Sequence, residues 1–227
     1  MKERFTKEIE NLRTNLIRMA SLVDDQVENA MKSLETGDGE LCRSIKAKDM
    51  EIDAYDNLIM TQCENYLALF QPVATDLRFV MSALMINNQL ERCGDIAVNI
   101  AQRVKKTLDS RELIAETQVP EMGKKARDMI KKAIDSVMNN DIELAKTVLA
   151  EDKLVDKMNK AIFKSLIAKM QSDPNSIEAC AHLIVLTRNI ERLADHATNI
   201  AEDIVFYVDA KVISHGKKLH LLGDEEA

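Results

Sequence analysis

Glu91 and Asp95 stand four residues apart, and Glu191 and Asp195 repeat that spacing. On a helix it places both carboxylates on one face, about one turn apart, where they repel each other. Asp49 with Asp53 and Asp152 with Asp156 repeat the arrangement upstream. Four such carboxylates on two neighbouring helices form a set of hard oxygen ligands suited to Mg²⁺, Ca²⁺, Mn²⁺ or a carboxylate-bridged iron cluster. The set lacks the thiolate and imidazole groups that favour a structural zinc site. A bound cation would relieve the repulsion between the rows.

A single acidic pair carries little weight. With 38 acids in 227 residues, chance alone supplies about six acidic pairs at this spacing. Recurrence carries the inference, because the chain repeats itself. At an offset of 103 residues, Ala30, Ser33, Asp38, Glu40, Leu41, Asp49 and Asp53 meet Ala133, Ser136, Asp141, Glu143, Leu144, Asp152 and Asp156. At an offset of 100, Glu91-Arg92 through Asp95, Ala97, Asn99, Ile100 and Ala101 meet Glu191-Arg192 through Asp195, Ala197, Asn199, Ile200 and Ala201. The three-residue change of offset falls between the second and third helix of each copy, where a loop absorbs it. The expected units are therefore 1–110 and 111–227.

Breakers divide the chain at Thr36-Gly37-Asp38-Gly39, Gln71-Pro72, the polar run from Leu108 to Pro120, Asn139-Asn140-Asp141 and Ser172-Asp173-Pro174-Asn175-Ser176. Six long segments remain, with apolar residues at helical spacing, as in Leu41, Ile45, Ile52, Tyr55, Ile59 and Tyr66. Only six Gly and three Pro occur, and no Trp, so the pattern predicts an all-α protein of two tandem three-helix bundles. Asp38, Asp141 and Asn175 are the expected N-caps, the last with Glu178 in a capping-box arrangement. On a helical wheel the acidic rows border the apolar stripes, which predicts partly exposed sites at the rim of each helix seam.

Asn99, Asn199 and Glu202 continue the rows and are secondary ligand candidates. Arg92 and Arg192 are expected to pair with neighbouring carboxylates. His196 adjoins Asp195, but its counterpart is Ile96, so it has no role common to both copies. A di-metal oxidase of the helical-bundle type, the alternative enzymatic reading, would use Glu-x-x-His pairs. None of His182, His196, His215 or His220 has Glu three residues before it, and we expect a protein that is not an enzyme. A metal-free helical scaffold is the other alternative.

A formal charge of −7 argues against nucleic acid as a partner. Cys42, Cys63, Cys93 and Cys180 lie far apart, which with the absence of an apolar leader points to a reducing cytoplasm. No apolar run is long enough to span a bilayer, so a membrane is met only through partners. No Gly-rich loop and no cluster of basic residues at a helix N-terminus marks a phosphate pocket.

The segments Gln71-Pro72-Val73-Ala74-Thr75-Asp76-Leu77-Arg78, Leu90 to Ala97 and Ile190 to Glu202 resemble those of the PhoU family, over nearly the whole chain. The resemblance implies two similar three-helix bundles with multinuclear iron or zinc clusters on their surfaces, held here by Asp49, Asp53, Glu91, Asp95, Asp152, Asp156, Glu191 and Asp195. It implies a negative regulator of phosphate uptake and of the phosphate-starvation response. That regulator would link the ATPase subunit of the phosphate ABC transporter to a sensor histidine kinase, and a homodimer is expected. Ala210 stands where the family leads us to expect Gly, and the acidic C-terminal tail carries no motif with a reading.

Overall fold

A computed structural model describes residues 2–210, with side chains from 6 onward. The described residues form six long helices and one short one, without strands. In order these are α1 (Lys2–Thr36), α2 (Gly39–Phe70), α3 (Thr75–Lys106), α4 (Arg111–Ala115), α5 (Val119–Asn139), α6 (Ile142–Ser172) and α7 (Ile177–Asp209). Helices α1 to α3 form one three-helix bundle and α5 to α7 the other. His215, His220 and the acidic tail lie outside the described residues.

The expected caps hold at two of three places. The Asp38 carboxylate accepts hydrogen bonds from the Glu40 and Leu41 amides at 2.8 and 3.1 Å, and Asp141 accepts from the Leu144 amide at 3.0 Å. Both satisfy amides that a helix start leaves unpaired. Asn175 does not cap α7. Pro174 opens a 3-10 turn, Pro174–Ser176, which places Ser176 at the cap position, while Asp173 bonds the Asn175 amide at 3.2 Å. Ala210 ends α7 with φ +56°, the left-handed conformation that Gly adopts without steric cost.

The polar run between the halves is not featureless. It holds a 3-10 turn, Leu108–Ser110, and then α4. From α4, the Arg111 guanidinium reaches back to the end of α1, donating to the Leu34 carbonyl at 2.7 Å and also to that of Glu35. These carbonyls have no intrahelical partner, so the arginine caps α1 and ties the connection to the first bundle. Gly37 makes room for it: φ is +71°, and a Cβ there would sit 3.1 Å from the Arg111 side chain.

The two halves share one continuous apolar core. Between α1 and α5 it is flanked by ion pairs, Arg127 to Glu28 at 3.1 Å and Lys131 to Asp24 at 3.4 Å. At the α3–α7 seam Phe79 meets Tyr207 edge-on, with ring centroids 5.5 Å apart. Farther along the seam, Gln89 Oε1 accepts from His196 Nδ1 at 2.7 Å and from Asn199 Nδ2 at 3.1 Å. Burial lowers the His196 pKa, aided by the Arg192 and Arg92 charges, and so keeps the ring neutral.

Asp203 lies in α7 and is only 6% exposed, and among the described residues its Oδ2 has no hydrogen-bond partner. Burial, with a smaller contribution from Glu202, raises its pKa from 3.8 to about 7. A raised carboxyl pKa means that the folded state holds the proton more tightly. Its stabilising contribution is complete below pH 3.8 and is lost as the pH rises to about 7. Denaturant melts across this range should show the parent chain losing up to about 1.4 kcal/mol per pH unit from this group. Asp203→Asn should give a flatter profile, and parallel profiles would contradict the assignment.

Candidate metal centre

In each bundle the four carboxylates lie along the seam where its second and third helices pack. On α2, Ile45, Ile52, Ile59, Cys63 and Tyr66 are buried, and Asp49 and Asp53 flank that stripe. Asp49 is half-buried and Asp53 exposed. On α3, Glu91 and Asp95 are half-buried beside Leu90, Cys93, Ala97 and Ile100, as the wheel predicts. The charges of the two rows act on one another. The Asp49 carboxyl is pushed above its ordinary range by burial, and the charges of Asp53 and Asp95 add to the shift. Glu91 is raised by burial, then by Asp95, Asp56 and Asp53, against the opposing Arg92.

The second bundle repeats this arrangement. Asp152 is raised by burial, Asp156 and Asp195. Glu191 is raised by burial against Arg188, with Asp156 and Asp152 adding. Asp195 is exposed as a residue, yet partial desolvation of its carboxyl raises the pKa, with Glu191 and Asp156 adding and Arg188 and Arg192 opposing. The donor set is hard oxygen in both halves, and its mutual repulsion fits a polyvalent cation. Among the described residues, no three carboxylate, imidazole or thiolate side chains converge closely enough to hold one ion. The fit therefore lies in the chemistry and placement of the rows.

The two centres differ in their supports. In the first, Gln26 of α1 is 2% exposed and donates from Nε2 to Asp49 Oδ1 at 2.9 Å and, more weakly, to the Gly94 carbonyl at 3.4 Å. Gly94 lets the helices close at this point, since a Cβ there would lie 3.2 Å from Ile52 and 3.5 Å from Asp49 Oδ1. The buried Asn87 donates to Asp56 Oδ1 at 2.6 Å, and so fixes a fifth carboxylate beside the four. In the second half the corresponding positions hold Met129, Ala194, Thr187 and Asn159.

The secondary candidates are placed differently from the rows. Asn99 is exposed one turn beyond Asp95, Asn199 is turned to Gln89 across the α3–α7 seam, and Glu202 lies half-buried beside Asp203. His196 is likewise held by Gln89. Arg92 pairs with Glu91 at 3.5 Å and Asp95 at 3.9 Å, as expected. In the second half Arg188, one turn earlier, takes Glu191 in place of Arg192. Sequence reasoning missed Gln26, Asp56, Asn87 and Arg188. Only Asp56 carried a signal, as the third acid on the α2 face at the spacing 49, 53, 56.

Among the described residues, no helix is long and apolar enough to cross a membrane. The family model described as the PhoU domain matches the chain twice, at residues 16–104 and 119–204. A phosphate-specific transport system accessory protein PhoU homolog of Caulobacter vibrioides is 34% identical over 220 residues, 96% of each chain. A homolog of the same name from Pseudomonas aeruginosa is 32% identical over 214 residues, 94% of this chain and 88% of its own. The crystal structure of PhoU from Pseudomonas aeruginosa superposes with a TM-score of 0.85 at 30% identity, covering 91% of this chain and all of that one. The phosphate transport system regulatory protein PhoU from Streptococcus pneumoniae gives a TM-score of 0.83 at 26% identity, over 92% and 99% of the two chains.

Neutralising one acid should stabilise the metal-free protein. Asp152→Asn, in chelator-treated protein at pH near 7, should gain on the order of 0.5 kcal/mol, a value discounted for solvent screening. Because the folded-state pKa is raised, the gain should shrink as the pH falls toward 3.8. Thermal melts at a series of pH values check this, and destabilisation at neutral pH would mean that the charge is not repelled.

Proposed function

The chain belongs to the PhoU family, and on that premise we propose that it is a cytoplasmic accessory protein of a phosphate-specific transport system. It acts as a negative regulator of phosphate uptake and of the phosphate-starvation response. The observation that carries the metal-binding part of this reading is the recurrence of the four-carboxylate arrangement in both bundles. In each, Asp49, Asp53, Glu91 and Asp95, or Asp152, Asp156, Glu191 and Asp195, lie within electrostatic range of one another.

An iron or zinc cluster would supply positive charge between these rows, with Mg²⁺, Ca²⁺ or Mn²⁺ as weaker alternatives. The chain's part is positional: the apolar seams hold α2 against α3 and α6 against α7, and the rims present the acids to solvent. Such a rigid, twice-repeated surface suits docking to the transporter ATPase and to a sensor histidine kinase. Exposed apolar side chains recur at equivalent places, Met60 with Phe163 and Met85 with Val185, and offer contact area to those partners or to a second copy. The names borne by the relatives support the regulatory role, and none names a catalyst.

Elemental analysis of protein purified without chelator tests the proposal. Glu91→Ala with Asp95→Ala should lower bound metal by about the share of the first bundle, and Glu191→Ala with Asp195→Ala by that of the second. Loss from both bundles at once, or from neither, would contradict two independent centres. In cells lacking the endogenous regulator, the parent chain should restore repression of a phosphate-starvation reporter at high phosphate.

A further inference from the structure

The α2–α3 seam does not end at the carboxylates. About one turn beyond Asp49, toward the start of α2, it opens into a groove of about 530 Å³ lined by Cys42, Arg43, Lys46, Ala47, Ala101, Gln102 and Lys105. Cys42 and Ala101 are buried and form part of its lining, while Arg43, Lys46, Gln102 and Lys105 are exposed around it. In a chain with an excess of seven acids, three cations and one amide thus line a single small groove. Among the described residues, neither Lys46 nor Lys105 lies within ion-pair distance of a carboxylate. Among the described residues Arg43 pairs with Glu40 alone, at 3.0 Å, and the two side chains are 61% and 88% exposed. Pairs this exposed are worth little, so the guanidinium can exchange that partner for another anion.

The groove belongs to the first half alone. At the corresponding places of the second half stand Ala145, Lys146, Leu149, Ala150, Ala201, Glu202 and Val205. Two of the three cations become apolar and the amide becomes a carboxylate, although the apolar lining is kept. Duplication explains the shared lining but not the cations, which are particular to this copy. Sequence reasoning found no phosphate pocket because it looked for a Gly-rich loop or a basic cluster at a helix N-terminus, whereas these residues come from the sides of two helices. The ammonium groups of Lys46 and Lys105, the Arg43 fork and the Gln102 amide supply donors suited to a compact, multiply charged oxyanion. The groove lies between the second turn of α2 and the last turns of α3.

We propose that this groove binds a small phosphoanion, inorganic phosphate or a phosphate monoester, through Arg43, Lys46, Gln102 and Lys105. The site gives the chain a direct contact with the phosphate pool, separate from any metal at the carboxylates. Its size admits a phosphate with a small organic group attached.

The test is equilibrium dialysis of the full chain, stripped of metal by chelation, against labelled inorganic phosphate at fixed ionic strength. Using stripped protein separates this test from the metal reading, which can fail without affecting it. We expect saturable binding of one phosphate per chain, weakened about tenfold or more by Lys46→Ala with Lys105→Ala, the equivalent of losing one charge-assisted hydrogen bond. Gln102→Glu, which installs the residue of the second half, should weaken it comparably, whereas Lys146→Ala should leave it unchanged. Absence of saturable binding at millimolar phosphate would overturn the proposal. So would equal affinity in the lysine variants, or displacement by chloride as effective as by unlabelled phosphate. Circular dichroism confirms that the variants stay folded.

Discussion

Two rows of like charge held face to face across a close helix seam set the terms for the rest of this structure. Like charges along one seam favour separation of its helices. The apolar stripes beside them hold the seam shut, burying Ile45, Ile52 and Ile59 of α2 with Leu90, Cys93 and Ala97 of α3. Burying a large aliphatic side chain contributes on the order of 2 kcal/mol, several times the cost of one like-charge pair on a helix surface. The core therefore wins, and burial of the seam, with the neighbouring carboxylate charges adding to it, raises the carboxyl pKa values in both halves. A protein whose stability was its only constraint would have placed lysines there.

The arrangement occurs twice in the chain, and the two copies are unequal. Around the first centre stand buried amides, a fifth carboxylate and a glycine that lets α2 approach. Around the second the same positions are apolar, small or uncharged. A basic groove extends the first seam and has no equivalent in the second. The halves do not stand apart, because one core runs through both. The α3–α7 seam adds a polar contact in which Gln89 holds His196 and Asn199. That contact has no symmetric mate, since the counterpart of His196 is Ile96.

Much of the fold was legible because helices declare themselves locally. The spacing of Ile45, Ile52 and Ile59, the Asp38 and Asp141 caps and the breakers at Gly37, Pro72 and Asn140 all act within a few residues. The carboxylate rows were legible for another reason, since repetition at a fixed offset separated them from the acids expected by chance. What could not be read depends on contacts between distant segments. Gln26 reaches Asp49 from another helix, and Arg111 caps a helix that ends before Gly37. Nothing local to either residue announces such a partner. Asn175 misled because Pro174 diverted the backbone into a 3-10 turn before the helix began.

The central claim is that a cation sits between the acidic rows of each bundle. It is tested most directly by a crystal structure of protein purified without chelator, with anomalous scattering recorded at the iron and zinc absorption edges. The account predicts anomalous peaks at the rim of the α2–α3 seam within bonding distance of Asp49, Asp53, Glu91 or Asp95, and matching peaks at the α6–α7 seam beside Asp152, Asp156, Glu191 or Asp195. Clear maps without peaks at either seam, with the carboxylates turned out to solvent, would contradict it.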